Sequence, residues 1–306
     1  MEIIIGTRSS ALALWQANEV KRMLEEAHPE LTATLQTFKT RGDHILDRPL
    51  SEVGGKGLFT KELEESLLAG EIHLAVHILK DMPTGLPEGL TLGAIPTRGD
   101  VRDVFIFREG EPAADTRLIG TSSLRRACLA HRRWPEAEVT SIRGNVQTRM
   151  GRVQAKGERK VDGVLLAMAG IKRLALNAEE GYDYLPLNPD RWIPAVSQGA
   201  LAIECRHNDP QTLKYLAPLH HEPTALCVQA ERAFLAAVEG DCRVPVGGLA
   251  TYDRGLLRLK AFVGSPDGAA YIEHTALGED AAQLGRSVAD LLLERGGREI
   301  LDALRQ

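Results

Sequence analysis

Cysteine is scarce in this 306-residue chain: four residues, widely spaced, with no CxxC pair. That excludes a disulfide framework and a structural zinc site, both of which need clustered thiols, and no metal is expected. An excess of basic charge is missing too. The formal net charge is −5, which argues against nucleic acid as a partner, since a surface that binds it is basic. No apolar run approaches the roughly 20 residues of a membrane span, so no membrane partner is expected. The opening MEIIIGTRSS carries an acid and runs straight into a strand pattern, unlike a signal peptide, and a cytoplasmic location is expected. Two nucleotide signatures are absent. In GGKGLFTKEL, Leu50 stands where the Walker pattern has its first glycine and Gly57 where it needs Ser or Thr. No GxGxxG follows the first strand either.

What is present is ordinary globular composition, 43% hydrophobic and 26% charged, at a length that suits about two or three domains. Short apolar runs alternate with helical spacing. EIIIG reads as a buried strand, followed by serines and a helix; ATLQTFKT, a GGKG loop, the helix LFTKELEESLLAG and the strand IHLAVHIL follow. LTLGAI and DVFIF are further strands. At residue 118 the opening recurs, LIGTSSLRRACLAH against IIGTRSSALALWQA, which implies a second lobe like the first. VTSIRGNVQTRMGRVQA and DGVLLAMAGIKRL continue the alternation of a mostly parallel α/β sheet. The polar segments 96–103 and 187–194 are candidates to cross between lobes, and ALAIECR reads as a strand returning to the first. After HHEP a long helix, two strands and two helical segments read as a small α+β domain.

Three stretches carry chemistry. Cys128, Cys205 and Cys227 stand in apolar company and read as core, whereas Cys242 stands in the polar loop EGDCRVPVGG. From Arg117 to Arg152 there are eight arginines, no lysine, and only Glu136 and Glu138 as acids. Arg125 and Arg126 fall in the first turn of a helix, where the helix dipole opposes cations, which points to an anionic partner. Arg143 lies at another strand-to-helix switch and Arg149 on the next helix, the place where α/β sheets bind ligands. Guanidinium groups around a cleft suit a small polyanion, a polycarboxylate or polyphosphate, the alternative for such a run being a solvated helix face. Lys56, on its glycine loop, is a further anion contact. In AVHILKDMPTG an apolar strand delivers Lys80 and Asp81 just before Pro83, which stiffens the corner; on these residues alone Asp81 reads first as a helix-cap or turn residue, with a catalytic carboxylate as the alternative.

Taken in order, GTRSSALALWQA, GGKGLFTKELE, AVHILKDMP, GTSSLRRACL, IRGNVQTR, AMAGIKRL, SQGALAIECR, HHEPTA, AERAFL and GDCRVPVGG resemble one family, hydroxymethylbilane synthase or porphobilinogen deaminase, over nearly the whole chain. The resemblance implies an α/β fold of two similar lobes with mixed, mostly parallel sheets, periplasmic-binding-protein-like, plus a small α+β C-terminal domain. It places residues 1–97 and 196–217 in the first lobe, 98–195 in the second, and 218–306 in the domain with the cysteine loop. It implies a transferase of tetrapyrrole (haem) biosynthesis that joins four porphobilinogen molecules head to tail with loss of ammonia and releases hydroxymethylbilane by hydrolysis. It further implies a dipyrromethane cofactor held by a thioether at Cys242, where a thiolate is a fitting nucleophile. Ser123, Arg125, Arg126, Lys80 and Arg149 are expected to hold cofactor carboxylates. Arg8, Ser10, Lys56, Arg143 and again Arg149 are expected to hold substrate and growing chain. Asp81 is expected to be catalytic and to touch the cofactor, its charge stabilising the cation that develops as ammonia leaves. The expected state is a monomer, with the product passed to uroporphyrinogen-III synthase.

Three positions depart from the family pattern: Ile78 and Ser197, where serine and glycine are usual, and Asp241, where a second glycine is usual. Asp241 disfavours a thiolate at Cys242, and Arg243 favours it. The rival class is a two-lobed solute-binding protein that closes on a polycarboxylate without chemistry. In it Cys242 has no role.

Overall fold

In the computed structural model, which describes residues 2–40, 60–238 and 244–304, strands and helices alternate as the apolar spacing requires. β1 (Glu2–Arg8) leads through Ser10 into α1 (Ala11–Ala27), and β2 (Thr32–Phe38) pairs with β1 in parallel. α2 (Lys61–Leu68), β3 (Leu74–Ile78) and β4 (Leu90–Ala94) follow. The next stretch holds β5 (Asp103–Arg108), β6 (Leu118–Gly120), α3 (Leu124–Arg133) and β7 (Glu138–Thr140). α4 (Val146–Gln154), β8 (Gly163–Ala167), α5 (Met168–Arg173) and β9 (Tyr182–Pro186) complete that sheet. The chain then returns as β10 (Leu201–Arg206) and α6 (Pro210–Leu216). α7 (Glu222–Ala237) leads to β11 (Val246–Asp253), β12 (Leu256–Gly264) and β13 (Tyr271–Gly278), with α8 (Ala281–Leu292) and α9 (Arg298–Ala303) last.

The two five-stranded sheets share one topology. Their orders are β2-β1-β3-β10-β4 and β7-β6-β8-β5-β9. In each, four strands run one way and the fourth in the order runs against them. That reversed strand is β10 in the first sheet and β5 in the second, each the first strand after the chain enters the sheet from the other. The echo between GTRSS and GTSSL falls at matching places, because β1 and β6 hold the same position in the two orders. The third sheet is antiparallel, β11-β12-β13.

Internal contacts divide the chain into two units, Met1–Gly99 with Gly199–Ala225, and Asp100–Gln198 with Leu226–Gln306. In the first, Ile3, Ile5, Val76 and Ile203 pack on Ala17, Val20 and Leu24 of α1, while Leu63 and Leu67 of α2 cover the other face against Ala75. In the second, Val104, Ile106 and Val164 pack on Met150 and Val153 of α4, and Phe105 and Trp134 fill the opposite face. The C-terminal sheet packs Leu257, Leu259 and Val263 against Phe234 of α7 and Val288 and Leu292 of α8.

Two strands escape a reading of the sequence. β9, YDYLP, is half-exposed along its length and lacks a clear alternation. β11 begins Val-Gly-Gly, a poor strand former. The glycine is needed there: a Cβ on Gly247 would stand 2.6 Å from Phe262 Cε1 and 2.8 Å from the Pro194 carbonyl oxygen. Close packing, invisible in the local sequence, overrides propensity.

Candidate active site

In the first unit, the site residues stand where strands end. β1 stops at Arg8, which is half-buried, and Ser10 caps α1 by accepting a hydrogen bond from Ala13 N at 3.3 Å. Such a cap is worth about 1 kcal/mol, so Ser10 has a structural task independent of any ligand. β3 ends at Ile78 and passes into a single 3-10 turn, Leu79–Asp81. The turn is pinned at both ends. Leu79 is buried and donates its N–H to the Ala200 carbonyl at 3.1 Å; Met82 is buried and donates to the Leu79 carbonyl at 3.2 Å. Lys80 is half-buried and Asp81 exposed, so the apolar residues hold the turn while Asp81 stands at the surface.

In the second unit, α3 starts as α1 does. Ser123 caps it, accepting from Arg126 N at 3.4 Å. Arg125 and Arg126 then turn inward and are buried at 4% and 6% exposure. The anion that their place in the helix calls for is supplied within the chain. Asp103, the first residue of β5, is fully buried and accepts from Arg125 Nη2 at 2.7 Å and from Arg126 Nη2 at 2.8 Å. Trp192 Nε1 (2.8 Å) and Gln198 Nε2 (2.9 Å) donate to the same carboxylate. The guanidinium groups also reach the Ile193 and Leu165 carbonyls. Burial alone would raise the Asp103 carboxyl, but the two arginines outweigh it and hold it well below the usual carboxylate range. Two cations thus share one carboxylate, and the buried set keeps an excess positive charge.

Arg143 and Arg149 are half-buried at the start of α4. Arg149 Nε donates to the Gly144 carbonyl at 2.8 Å, which folds the side chain back over the loop, and Asn145 caps the helix by accepting from Thr148 N. Arg132 and Arg133 stand apart from these: one lies over the Tyr271 ring at 4.0 Å and the other over Trp134 at 4.9 Å. Six of the eight arginines in the run therefore divide into a buried pair, a pair at the start of α4, and a pair stacked on aromatic rings.

Residues 3–214 match a family model described as "Porphobilinogen deaminase, dipyromethane cofactor binding domain", and residues 225–294 match "Porphobilinogen deaminase, C-terminal domain". The porphobilinogen deaminase of Staphylococcus carnosus is 41% identical over 309 residues, covering 100% of this chain and 99% of that protein. That of Syntrophotalea carbinolica is 47% identical over 306 residues, covering 98% and 95%. The chain belongs to the porphobilinogen deaminase family. It has porphobilinogen deaminase activity in tetrapyrrole biosynthesis, a transferase reaction, and a dipyrromethane cofactor-binding domain. Among solved structures, an ancestral cationic amino acid solute-binding protein resembles it with a TM-score of 0.41 at 9% identity, covering 71% of this chain and 87% of that one.

For a porphobilinogen deaminase the donor set is chemically apt. Dipyrromethane carries carboxylates on both rings, and the excess positive charge around Asp103 is a setting that an anionic group relieves. The residues present fit such a group. Cys242 and Lys56, with Asp241, lie outside the described residues. Cys128, Cys205 and Cys227 are buried, and burial pushes the thiols of Cys128 and Cys205 up to about 11, as befits packing rather than nucleophilic chemistry. Sequence reasoning missed Asp103, Trp192 and Gln198. The one local signal was an acid opening the apolar strand DVFIF. No helix among the described residues is long and apolar enough to cross a membrane.

Proposed function

We propose that this deaminase works through Asp81 as the catalytic carboxylate and Cys242 as the thioether anchor of dipyrromethane. Lys80, Ser123, Arg125 and Arg126 bind cofactor carboxylates, with Arg149 and Asp81 also in contact; Arg8, Ser10, Lys56, Arg143 and Arg149 bind porphobilinogen and the growing chain. The observation that carries this reading is the pinned turn, where buried Leu79 and Met82 hold the corner that leaves Asp81 exposed, next to Lys80, at a strand end. The bound cofactor would supply the nucleophilic α-carbon for the first ring, and the free α-carbon of the terminal ring would take that role for each ring after it. Asp81 holds a fixed negative charge beside the aminomethyl carbon of the incoming ring, favouring the departure of ammonia. The guanidinium groups orient the acetate and propionate arms, so that ring and nucleophile meet in one geometry. The division of labour follows residues 1–97 and 196–217, 98–195, and 218–306. The enzyme acts as a cytoplasmic monomer and passes its product to uroporphyrinogen-III synthase.

Intact mass of the purified protein tests the anchor. Wild type should carry an added dipyrromethane, Cys242→Ser should carry none and be inactive, and Cys128→Ala should keep both adduct and activity. An adduct on Cys242→Ser would place the thioether elsewhere.

A further inference from the structure

The first lobe's sheet contains polar residues that its packing does not require. β3 and β10 lie inside the sheet and are buried, where apolar side chains are expected. Yet His77 and Glu204 sit there at 7% and 0% exposure, and His77 Nε2 meets Glu204 Oε2 at 2.9 Å. The register explains the meeting. Ala202 stands opposite His77 and Ala75 opposite Glu204, so the two polar side chains lie diagonally on one face, each beside a methyl group that leaves it room. α2 covers this face and brings Glu64, buried at 8%. One carboxylate oxygen of Glu64 and one of Glu204 are buried without a hydrogen-bond partner. Burial raises the Glu64 carboxyl, the Thr60 hydroxyl opposes that, Glu204 raises it further, and His77 lowers it.

Other charged groups meet the same face. Glu62 acts on Glu64 from α2. On β10, Arg206 donates to the Leu67 and Ile72 carbonyls at 2.7 and 2.8 Å, tying the end of α2 to the entry of β3. On β1, Gly6 pairs with Ala75, so Arg8, two residues on, shares the face by strand alternation.

This set lies directly behind the turn that carries Asp81. Ile78 pairs with Leu201, and the next bond, Leu79 N to the Ala200 carbonyl, immediately precedes Lys80 and Asp81. Burying ionisable groups costs several kcal/mol in desolvation, and an apolar pair of like volume is often neutral or stabilising by comparison. What the polar pair provides is direction. A slip of one residue between β3 and β10 would turn His77 to the other face and break its bond to Glu204. We propose that Glu204, through His77, is a positioning residue for Asp81, fixing the pitch of β3 where it enters the turn, with Glu64 closing the set against α2. The proposal rests on the catalytic reading of Asp81.

Steady-state kinetics on cofactor-loaded protein test it. Glu204→Gln keeps the volume and removes the charge. It should retain the full adduct by intact mass and keep KM within about threefold. Its kcat should fall about 10- to 100-fold, the scale of a misplacement of up to about 1 Å. Added to Asp81→Asn it should cost less than about threefold more, because residues that act as one unit are not additive. Cys205→Ala, on the opposite face of β10, should lower Tm and leave kcat unchanged. If Glu204→Gln yields no folded protein, His77→Asn, whose amide stops short of Glu204, is set against His77→Gln, whose amide reaches it; kcat should fall in the first and be kept in the second. Unchanged kcat per loaded molecule in Glu204→Gln, equal kcat in the two His77 variants, or losses that multiply with Asp81→Asn would each overturn the positioning role while leaving Asp81 catalytic. Near-wild-type kcat in Asp81→Asn alone would instead remove the catalytic reading, and the positioning inference with it.

Discussion

Asp81 and Asp103 show what one carboxylate does at two depths. Asp81 is exposed at the end of a pinned turn that the burial of its neighbours holds in place. Substituting it should spare the fold and strike the chemistry. Asp81→Asn, checked for full cofactor content, should release ammonia in a single turnover about 100- to 1000-fold more slowly, the cost of losing one preorganised electrostatic group of about 3–4 kcal/mol. Asp81→Glu keeps the charge one methylene away and should retain more activity than Asn. Release within about tenfold of wild type in Asp81→Asn would make it a turn residue. Asp103 is the reverse case. It is fully buried under two guanidinium groups, so Asp103→Asn leaves those cations without their counter-charge and should cost about 3–5 kcal/mol, read as a lowered urea midpoint.

At the level of elements, the strand-to-helix corners differ in how far they are committed to structure. Arg125 and Arg126 anchor α3 to β5 through Asp103, whereas Arg149 donates to the Gly144 carbonyl in the loop before its own helix. Arg125→Leu should impair both stability and cofactor assembly, and Arg149→Leu should still load cofactor, because Lys80, Ser123, Arg125 and Arg126 also hold its carboxylates, but stall on added rings. Mass spectra of each variant given limited porphobilinogen separate the two outcomes: no adduct in the first, accumulating intermediates in the second. Normal turnover in both would mark these arginines as structural alone. The return crossing holds a second element-scale effect. Ser197 has φ of +62°, its hydroxyl is buried without a partner, and its N–H donates to the buried Glu231 carboxylate at 2.6 Å. Ser197→Gly removes both the left-handed strain and the unmet hydroxyl, against a larger loss of chain entropy, for a net gain of about 1 kcal/mol. Unfolding by urea should show a higher midpoint, and a lower one would mean that the serine is better accommodated than its backbone suggests.

Over the whole molecule, these charges set the acid limit of stability. Asp103 is held low by Arg125 and Arg126 against its burial, and Asp100 is held low first by Arg102 and also by Lys172, against a smaller burial effect. A carboxyl depressed in the folded state adds stability that is present above its unfolded value, about 3.9, and is lost as pH falls toward its folded value. Glu64, raised by burial, works oppositely: its contribution falls as pH rises above the ordinary glutamate value. Urea midpoints measured from pH 7 down to pH 3 should drop steeply below about pH 4 in wild type and less steeply in Asp103→Asn. Parallel curves would show that the acid limit is set elsewhere.

The sequence by itself determined the alternation of strand and helix, the serine caps, the repeated corner, and the strand that leads to Lys80 and Asp81, because each rests on contacts within a few residues. Its ordered motifs also determined the family, and with it the activity and the cofactor. Only the tertiary structure decided what the polar residues inside strands do. Asp103 gathers Arg125, Arg126, Trp192 and Gln198 from three separate stretches, and Glu204 meets His77 across 127 positions. Nothing local distinguishes such residues from any acid in an apolar run. The same holds for Gly247, a strand glycine required by a phenyl ring and a carbonyl from elsewhere in its unit. Local spacing sets which elements form; the identity of a buried charge's partner depends on which strands the fold lays side by side, and that is settled only when the sheet is assembled.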